Sequence, residues 1–213
     1  MLTLDHLLNA FVTLLVTVDP PGLAPVFLVL TSGMTRHERN QVAARAGIIA
    51  FFILVLFALF GKAILSTLGI SVSAFRVAGG LLLFVIAFDM IFERRTERKE
   101  KSAEVAITKD MIHNIAAFPL AIPLIAGPGA ISATLLLSGS MTGAVGLSTL
   151  CLILLVLCFL TYLVFMLADR IDRILGETGR SILSRLLGLI LAALAVQFVS
   201  DGVIEIWRGA ASL

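Results

Sequence analysis

Val18-Asp19-Pro20-Pro21-Gly22-Leu23-Ala24-Pro25 lies in the middle of a long apolar run, and Ile122-Pro123-Leu124-Ile125-Ala126-Gly127-Pro128-Gly129 lies in the middle of another. Proline lacks an amide donor, and its ring collides with the preceding helical turn. A backbone group left open in hydrocarbon costs several kcal/mol, so a helix broken at bilayer depth survives only beside protein or water. Two such breaks at matching positions in two halves of a chain point to a transporter site near the bilayer midplane.

The surrounding composition supports that setting. Of the 213 residues 59% are hydrophobic and only 14% charged, with a mean hydropathy of +1.07. A soluble domain carries about 25% charged residues, so the chain reads as an all-α polytopic membrane protein. Apolar runs near the ~20 residues that cross a bilayer fall at about 7–31, 43–65, 74–92, 115–138, 145–168 and 183–206. No basic segment and no small-residue cleavage site accompany the first run, so it is expected to be retained as a helix. Cys151 and Cys158 are seven apart on one predicted helix, about 10 Å along its axis. That is too far to bridge, and they read as apolar packing.

Thirteen of the sixteen basic residues fall in the loops between spans one and two, three and four, and five and six, or just inside span six. The remaining three are Lys62, Arg76 and Arg208. Under the positive-inside rule those loops face the cytoplasm and both termini face the outside. The linker at 93–112 alternates in charge sign, with Glu97 and Lys101 at i,i+4 spacing, and reads as solvated.

A shift of 107 residues superimposes the halves: His6 on His113, Pro21 on Pro128, Gly22 on Gly129, Met34 on Met141 and Gly69 on Gly176. Two inserted residues then match Arg76 to Arg185 and Gly79 to Gly188. The chain divides into a first repeat at 1–92, the linker, and a second repeat at 113–213, forming a single membrane domain over 1–213. Three crossings per half is an odd number, so the halves run antiparallel: a 3+3 inverted repeat with broken helices one and four. Ala74 and Ala78, and Ser184, Gly188 and Ala192, form small-residue stripes suited to close helix packing.

Asp19 is the acidic residue nearest the centre of a span, and an ionisable group there is a functional-site hypothesis by default. It also precedes Pro20, and proline suits the first turn of a helix. Asp19 is therefore equally an N-cap for a half-helix starting there. As a functional group it would bind a substrate ammonium or a coupling cation, or exchange a proton. Gly127-Pro128-Gly129 should open a second half-helix, with Ser132 in its first turn. Helix N-termini suit a carboxylate, while carbonyls at the preceding half-helix ends suit an ammonium. The candidate substrate-binding set is Asp19, Pro20, Pro21, Gly22, Gly127, Pro128, Gly129 and Ser132.

Asp89 and Asp201 are expected at the interfaces, and Gln197 in an interhelical hydrogen bond. Arg76 and Arg185 are expected to snorkel in a shared scaffold role. His6, His37 and His113 sit at membrane edges or in a loop. No H-E-x-x-H, P-loop or G-x-S-x-G occurs, and the basic residues follow the cytoplasmic rim. The reading is therefore of no enzyme, no cofactor, no metal and no nucleic-acid partner.

At Asp19 to Phe27, Phe75-Arg76-Val77-Ala78-Gly79-Gly80, Pro123 to Ile131, and Arg185-Leu186-Leu187-Gly188 the chain resembles the MarC family of integral membrane proteins. That family is similar to the SnatA neutral amino acid transporters. The resemblance spans essentially the whole chain, with one departure: the family commonly has Asn-Pro where this chain has Asp19-Pro20. It implies a six-span protein of the bacterial inner membrane and, from characterised relatives, transport of glycine- or alanine-like amino acids. The expected activity is secondary transport of a small neutral solute between the breaks, driven by a substrate, proton or sodium gradient. The competing expectation is a non-transporting scaffold or assembly subunit in which the breaks are packing kinks.

Overall fold

The computed structural model describes residues 4–92, 115–141 and 143–210, and every regular element among them is helical. The linker at 93–112, His113 and Thr142 lie outside the described residues. Helices α1 (Leu4–Val18) and α2 (Pro20–Leu30) run on as one 27-residue crossing. They are followed by α3 (Arg36–Thr67) and α4 (Val72–Ile91). After the linker come α5 (Ala116–Ile125) and α6 (Pro128–Ser140), bent by 57° at their junction. Then follow α7 (Gly143–Met166) and α8 (Ala168–Ala210), whose apolar part is Ser181–Arg208. Five helices are long and apolar enough to cross a bilayer, or six if the bent pair is one crossing. Each apolar run read from the sequence falls on one of them.

Local chemistry sets the boundaries. Thr35 caps α3 through a capping box: its backbone amide donates to Glu38 Oε2 at 2.7 Å, and Glu38 N donates to Thr35 Oγ1 at 3.3 Å. Ser71 caps α4 by accepting from Ala74 N at 3.1 Å. Gly69 after α3 and Gly176 within α8 both take the left-handed conformation that glycine adopts without strain, with φ of 70° and 57°.

The second break begins earlier than the sequence reading placed it. Phe118 and Ile122 are both extended, each followed by a proline. Between them α5 is wound wide, with Leu120 N bonding Ile115 O at 3.3 Å and Ala126 N bonding Ala121 O at 2.8 Å. Pro119 and Pro123 each lack a donor, so the ordinary i→i−4 ladder cannot form through this stretch.

The bundle centre is built from buried Leu14, Leu23, Phe27, Leu54, Leu83, Leu120, Leu136 and Leu154. Its outside is apolar too: Phe52, Val145, Leu152 and Phe159 are all more than half exposed, as a surface facing hydrocarbon requires. The most extensive contact is between α4 and α8, which pack antiparallel. A Cβ on Gly202 would lie 2.9 Å from Ser73 O, one on Gly80 2.9 Å from Ala195 O, and one on Gly188 3.1 Å from Ala87 O. The seam thus pairs Ser73, Gly80 and Ala87 with Gly202, Ala195 and Gly188, a repeat of seven. Of the stripes expected at spacing four, Ala74 and Ala78 are exposed, while Gly188 lies in the seam and Ala192 packs against the core. A seven-residue repeat keeps one helical face in register along a shallow crossing, and small residues let the backbones touch.

Candidate functional site

Asp19 stands between α1 and α2 with φ 56° and ψ 64°, the sole non-glycine residue at positive φ among the described residues. The following Pro20 disfavours the right-handed helical region, and aspartate is one of the few side chains that tolerate the left-handed one. The backbone threads through the residue: Asp19 N donates to Leu15 O at 2.8 Å, and Leu23 N donates to Asp19 O at 3.1 Å. Its carboxylate folds over the first turn of α2 and accepts from Gly22 N at 3.1 Å. Asp19 is therefore an N-cap, and it is buried at 4% exposure.

Gly22 makes that cap possible, because a Cβ there would run into the Asp19 carboxylate. Pro20 is buried at the first helical position, and Pro21 and Gly22 are partly buried. Pro25, inside α2, cannot donate to the Pro21 carbonyl. The Pro21 carbonyl, two residues after Asp19, thus lacks its usual i→i−4 donor.

The second break carries no charge. Gly127 caps α6 with no side chain, and Pro128 occupies its first position. The amides of Gly129 and Ala130 therefore open α6 without a side-chain acceptor. Gly127, Gly129 and Ser132 are buried, whereas Pro128 is exposed. A side chain on Gly127 would meet the Pro123 carbonyl.

The two breaks touch. A Cβ on Gly129 would fall 3.1 Å from Thr17 Cγ2 and would collide with Ile86 Cδ1. Thr17 ends α1 beside Asp19, so the start of α6 lies against the end of α1, with α4 behind. Ile86 carried no sequence signal, since an aliphatic residue on an apolar helix looks like any other.

Buried hydroxyls surround this junction. Thr17 Oγ1 donates to Thr13 O at 2.6 Å and Thr134 Oγ1 donates to Ala130 O at 2.7 Å, each satisfied by its own helix. Asp89, expected at an interface, is buried at 5% exposure near the end of α4. Gln197 does not bridge helices: it is exposed, and Nε2 donates to Asp201 Oδ1 on the same helix at 2.8 Å. No group of three or more His, Cys, Asp or Glu able to hold a metal occurs among the described residues.

Comparison with known proteins places this architecture. The sequence model of the MarC family integral membrane proteins matches residues 4–207. A UPF0056 membrane protein of Archaeoglobus fulgidus is 39% identical over 203 residues, covering 95% of this chain and 94% of the relative. One from Buchnera aphidicola is 37% identical, covering 93% and 92%, and YvbG, a UPF0056 membrane protein of Bacillus subtilis, is 34% identical, covering 93% and 94%. No solved structure matches. With the match running from the first crossing to the last and across both breaks, the chain belongs to the MarC family of integral membrane proteins.

Proposed function

We propose that this protein is a secondary transporter of a small neutral solute, of the amino acid class, held between the two helix breaks. The observation that carries the reading is the contact of Gly129 with Thr17, which sets the uncapped start of α6 against the Asp19 break. One side offers a buried carboxylate and the Pro21 carbonyl, fit for an ammonium. The other offers the Gly129 and Ala130 amides at a helix N-terminus, fit for a carboxylate. An amino acid zwitterion needs both, and no other strongly charged side chain need enter the site. Asp19 in addition is the group placed to carry a coupling proton or cation.

The proposal extends to a 3+3 inverted repeat, which the pattern of helix packing supports. Under the 107-residue match, α1 to α4 correspond to α5 to α8. Helices α3 and α7 pack on each other, as do α4 and α8, each on its own counterpart. Contacts of α2 with α8 are mirrored by those of α6 with α4. The left-handed Gly69 and Gly176 are a matched pair. Both breaks then lie near mid-bilayer: α1 and α2, with 15 and 11 residues, are about 22 and 16 Å long. We place the protein in the inner membrane with its N-terminal face outward, from the distribution of basic residues.

The test is uptake of labelled glycine, alanine, serine and threonine into proteoliposomes under imposed proton, sodium and potential gradients. Accumulation of at least one above protein-free vesicles is expected. Uptake of none under any gradient would refute the assignment.

A further inference from the structure

Two cavities with polar linings sit at opposite ends of the bundle. The outer one, about 350 Å³, lies between the halves and is lined by Asp5, His6 and Asn9 of α1, Arg76 of α4, Ser140 of α6 and Asp201 of α8. The inner one, about 190 Å³, is lined by Arg36 and Arg39 of α3, Phe165 of α7 and Asp169 of α8, with Phe27 of α2. Met141 borders the first and Met34 the second, and these two are matched by the internal repeat.

An arginine lining each cavity forms an ion pair that joins one half of the chain to the other. At the outer end Arg76 pairs with Glu205. At the inner end Arg39 Nη1 stands 3.6 Å from Asp169 Oδ2, and Arg39 Nε donates to Thr31 O at the end of α2 at 3.3 Å.

The outer cavity is connected to the breaks by a polar track. Asn9 lines the cavity, Thr13 Oγ1 donates to Asn9 Oδ1 at 3.2 Å, and Thr17 Oγ1 donates to Thr13 O at 2.6 Å. Thr17 in turn touches Gly129. Asn9, Thr13 and Thr17 follow one another at i,i+4 along α1, ending beside Asp19. Thr13 and Thr17 are buried, as are Thr134 and Ser138 on the adjoining α6.

We infer that the outer cavity is an access site for small zwitterions, in which Arg76 exchanges its Glu205 partner for the solute carboxylate while Asp201 receives the ammonium. This inference rests on the transporter reading for its place on a path, but the binding it describes is measurable without transport. Arg76 is the guanidinium lining the cavity, and a guanidinium grips a carboxylate through two parallel hydrogen bonds. Its side chain is only 13% exposed and that of Glu205 45%, so Glu205 is the freer partner to leave. Exchange of one carboxylate for another leaves no buried charge unpaired, which is the costly state for an ion in such a place. The scaffold role that the sequence suggested for Arg76 becomes the resting half of this exchange.

The experiment is equilibrium binding of labelled L-alanine to the full-length protein in nanodiscs, with L-alaninamide and propionate as competitors, alongside uptake into proteoliposomes. Alaninamide lacks the carboxylate and propionate the ammonium, so both should compete at least about tenfold more weakly than unlabelled alanine. Arg76→Gln should weaken alanine binding about tenfold or more, whereas Glu205→Gln should tighten it by removing the competing carboxylate. A merely structural ion pair would make both variants move in the same direction, and that result overturns the inference. If wild type transports alanine but the two variants weaken binding in parallel, the access site falls and the transporter reading stands. If alanine binds with opposite responses of the two variants but no gradient drives uptake, the access site stands and the transporter reading falls. Absence of both binding and uptake overturns both.

Discussion

Gly129 and Thr17 lie against each other across the two helix breaks: a Cβ on the glycine would come within 3.1 Å of the threonine methyl and into the end of Ile86. This contact joins the second half of the chain to the first at the two positions where prolines interrupt the helices. Any solute held there must part these residues, so the size of residue 129 controls the site.

Gly129→Leu should abolish solute uptake while the protein still inserts, and Gly129→Ala should reduce uptake several-fold. The neighbour that obstructs most is the flexible end of Ile86, so Ile86→Ala placed on Gly129→Ala should restore part of the loss. Uptake rates normalised to inserted protein check this; an additive double variant would refute the contact.

Asp19→Asn and Asp19→Ala separate cap from charge. Asparagine keeps the acceptor for Gly22 N and tolerates the left-handed backbone. Its melting temperature should stay within a few degrees of wild type, while proton- or cation-driven accumulation falls. Alanine loses the cap, about 1 kcal/mol, and strains the backbone by about 1–2 kcal/mol. It should therefore melt clearly lower. Equal melting temperatures for the two variants would contradict the cap geometry.

Two glycines should respond differently to compensation. Gly61 of α3 receives the Leu135 side chain of α6, so Gly61→Ala overpacks the contact by about 1–3 kcal/mol. Leu135→Ala should relieve most of that cost, which a double-mutant cycle on thermal stability would measure.

Gly80, by contrast, faces main chain as well as side chain: a Cβ on it would lie 2.9 Å from the Ala195 carbonyl oxygen and 3.0 Å from Val199 N. Gly80→Val should force α4 and α8 apart, and trimming Val199 to alanine should rescue little. The yield of monodisperse protein after detergent extraction reports the outcome.

Orientation can be read by cysteine labelling in a background with Cys151 and Cys158 replaced. Ser32→Cys, in the exposed turn after α2, should react with an impermeant thiol reagent only from the cytoplasmic side. Thr67→Cys, at the exposed end of α3, should react only from outside. The reverse pattern would invert the topology drawn from the basic residues.

The crossings and both breaks were legible because proline and glycine write backbone geometry directly into sequence. Asp19 was legible too, since a lone carboxylate in an apolar run must have a partner or a task, and the structure gives it the Gly22 amide. The α4–α8 seam was not. Small residues recur at many spacings in apolar helices, and only the facing helix selects Ser73, Gly80 and Ala87 over Ala74 and Ala78. Nor could the sequence place Ile86, Glu205 or Asp169, whose partners lie far away along the chain. The extent of disorder in the hydrogen-bond ladder of α5 was also hidden, because Pro119 looked like an ordinary residue of span four rather than the start of its break.

The seam between α4 and α8 brings main chain against main chain at three levels seven residues apart, Ser73 with Gly202, Gly80 with Ala195 and Ala87 with Gly188. Its register is not that of the sequence match, which sets Gly79 rather than Ala87 on Gly188. With small residues at every level, neither helix can turn about its axis or slip by a residue without driving a larger side chain into the seam. The two are therefore expected to travel as one piece in any rearrangement of the bundle.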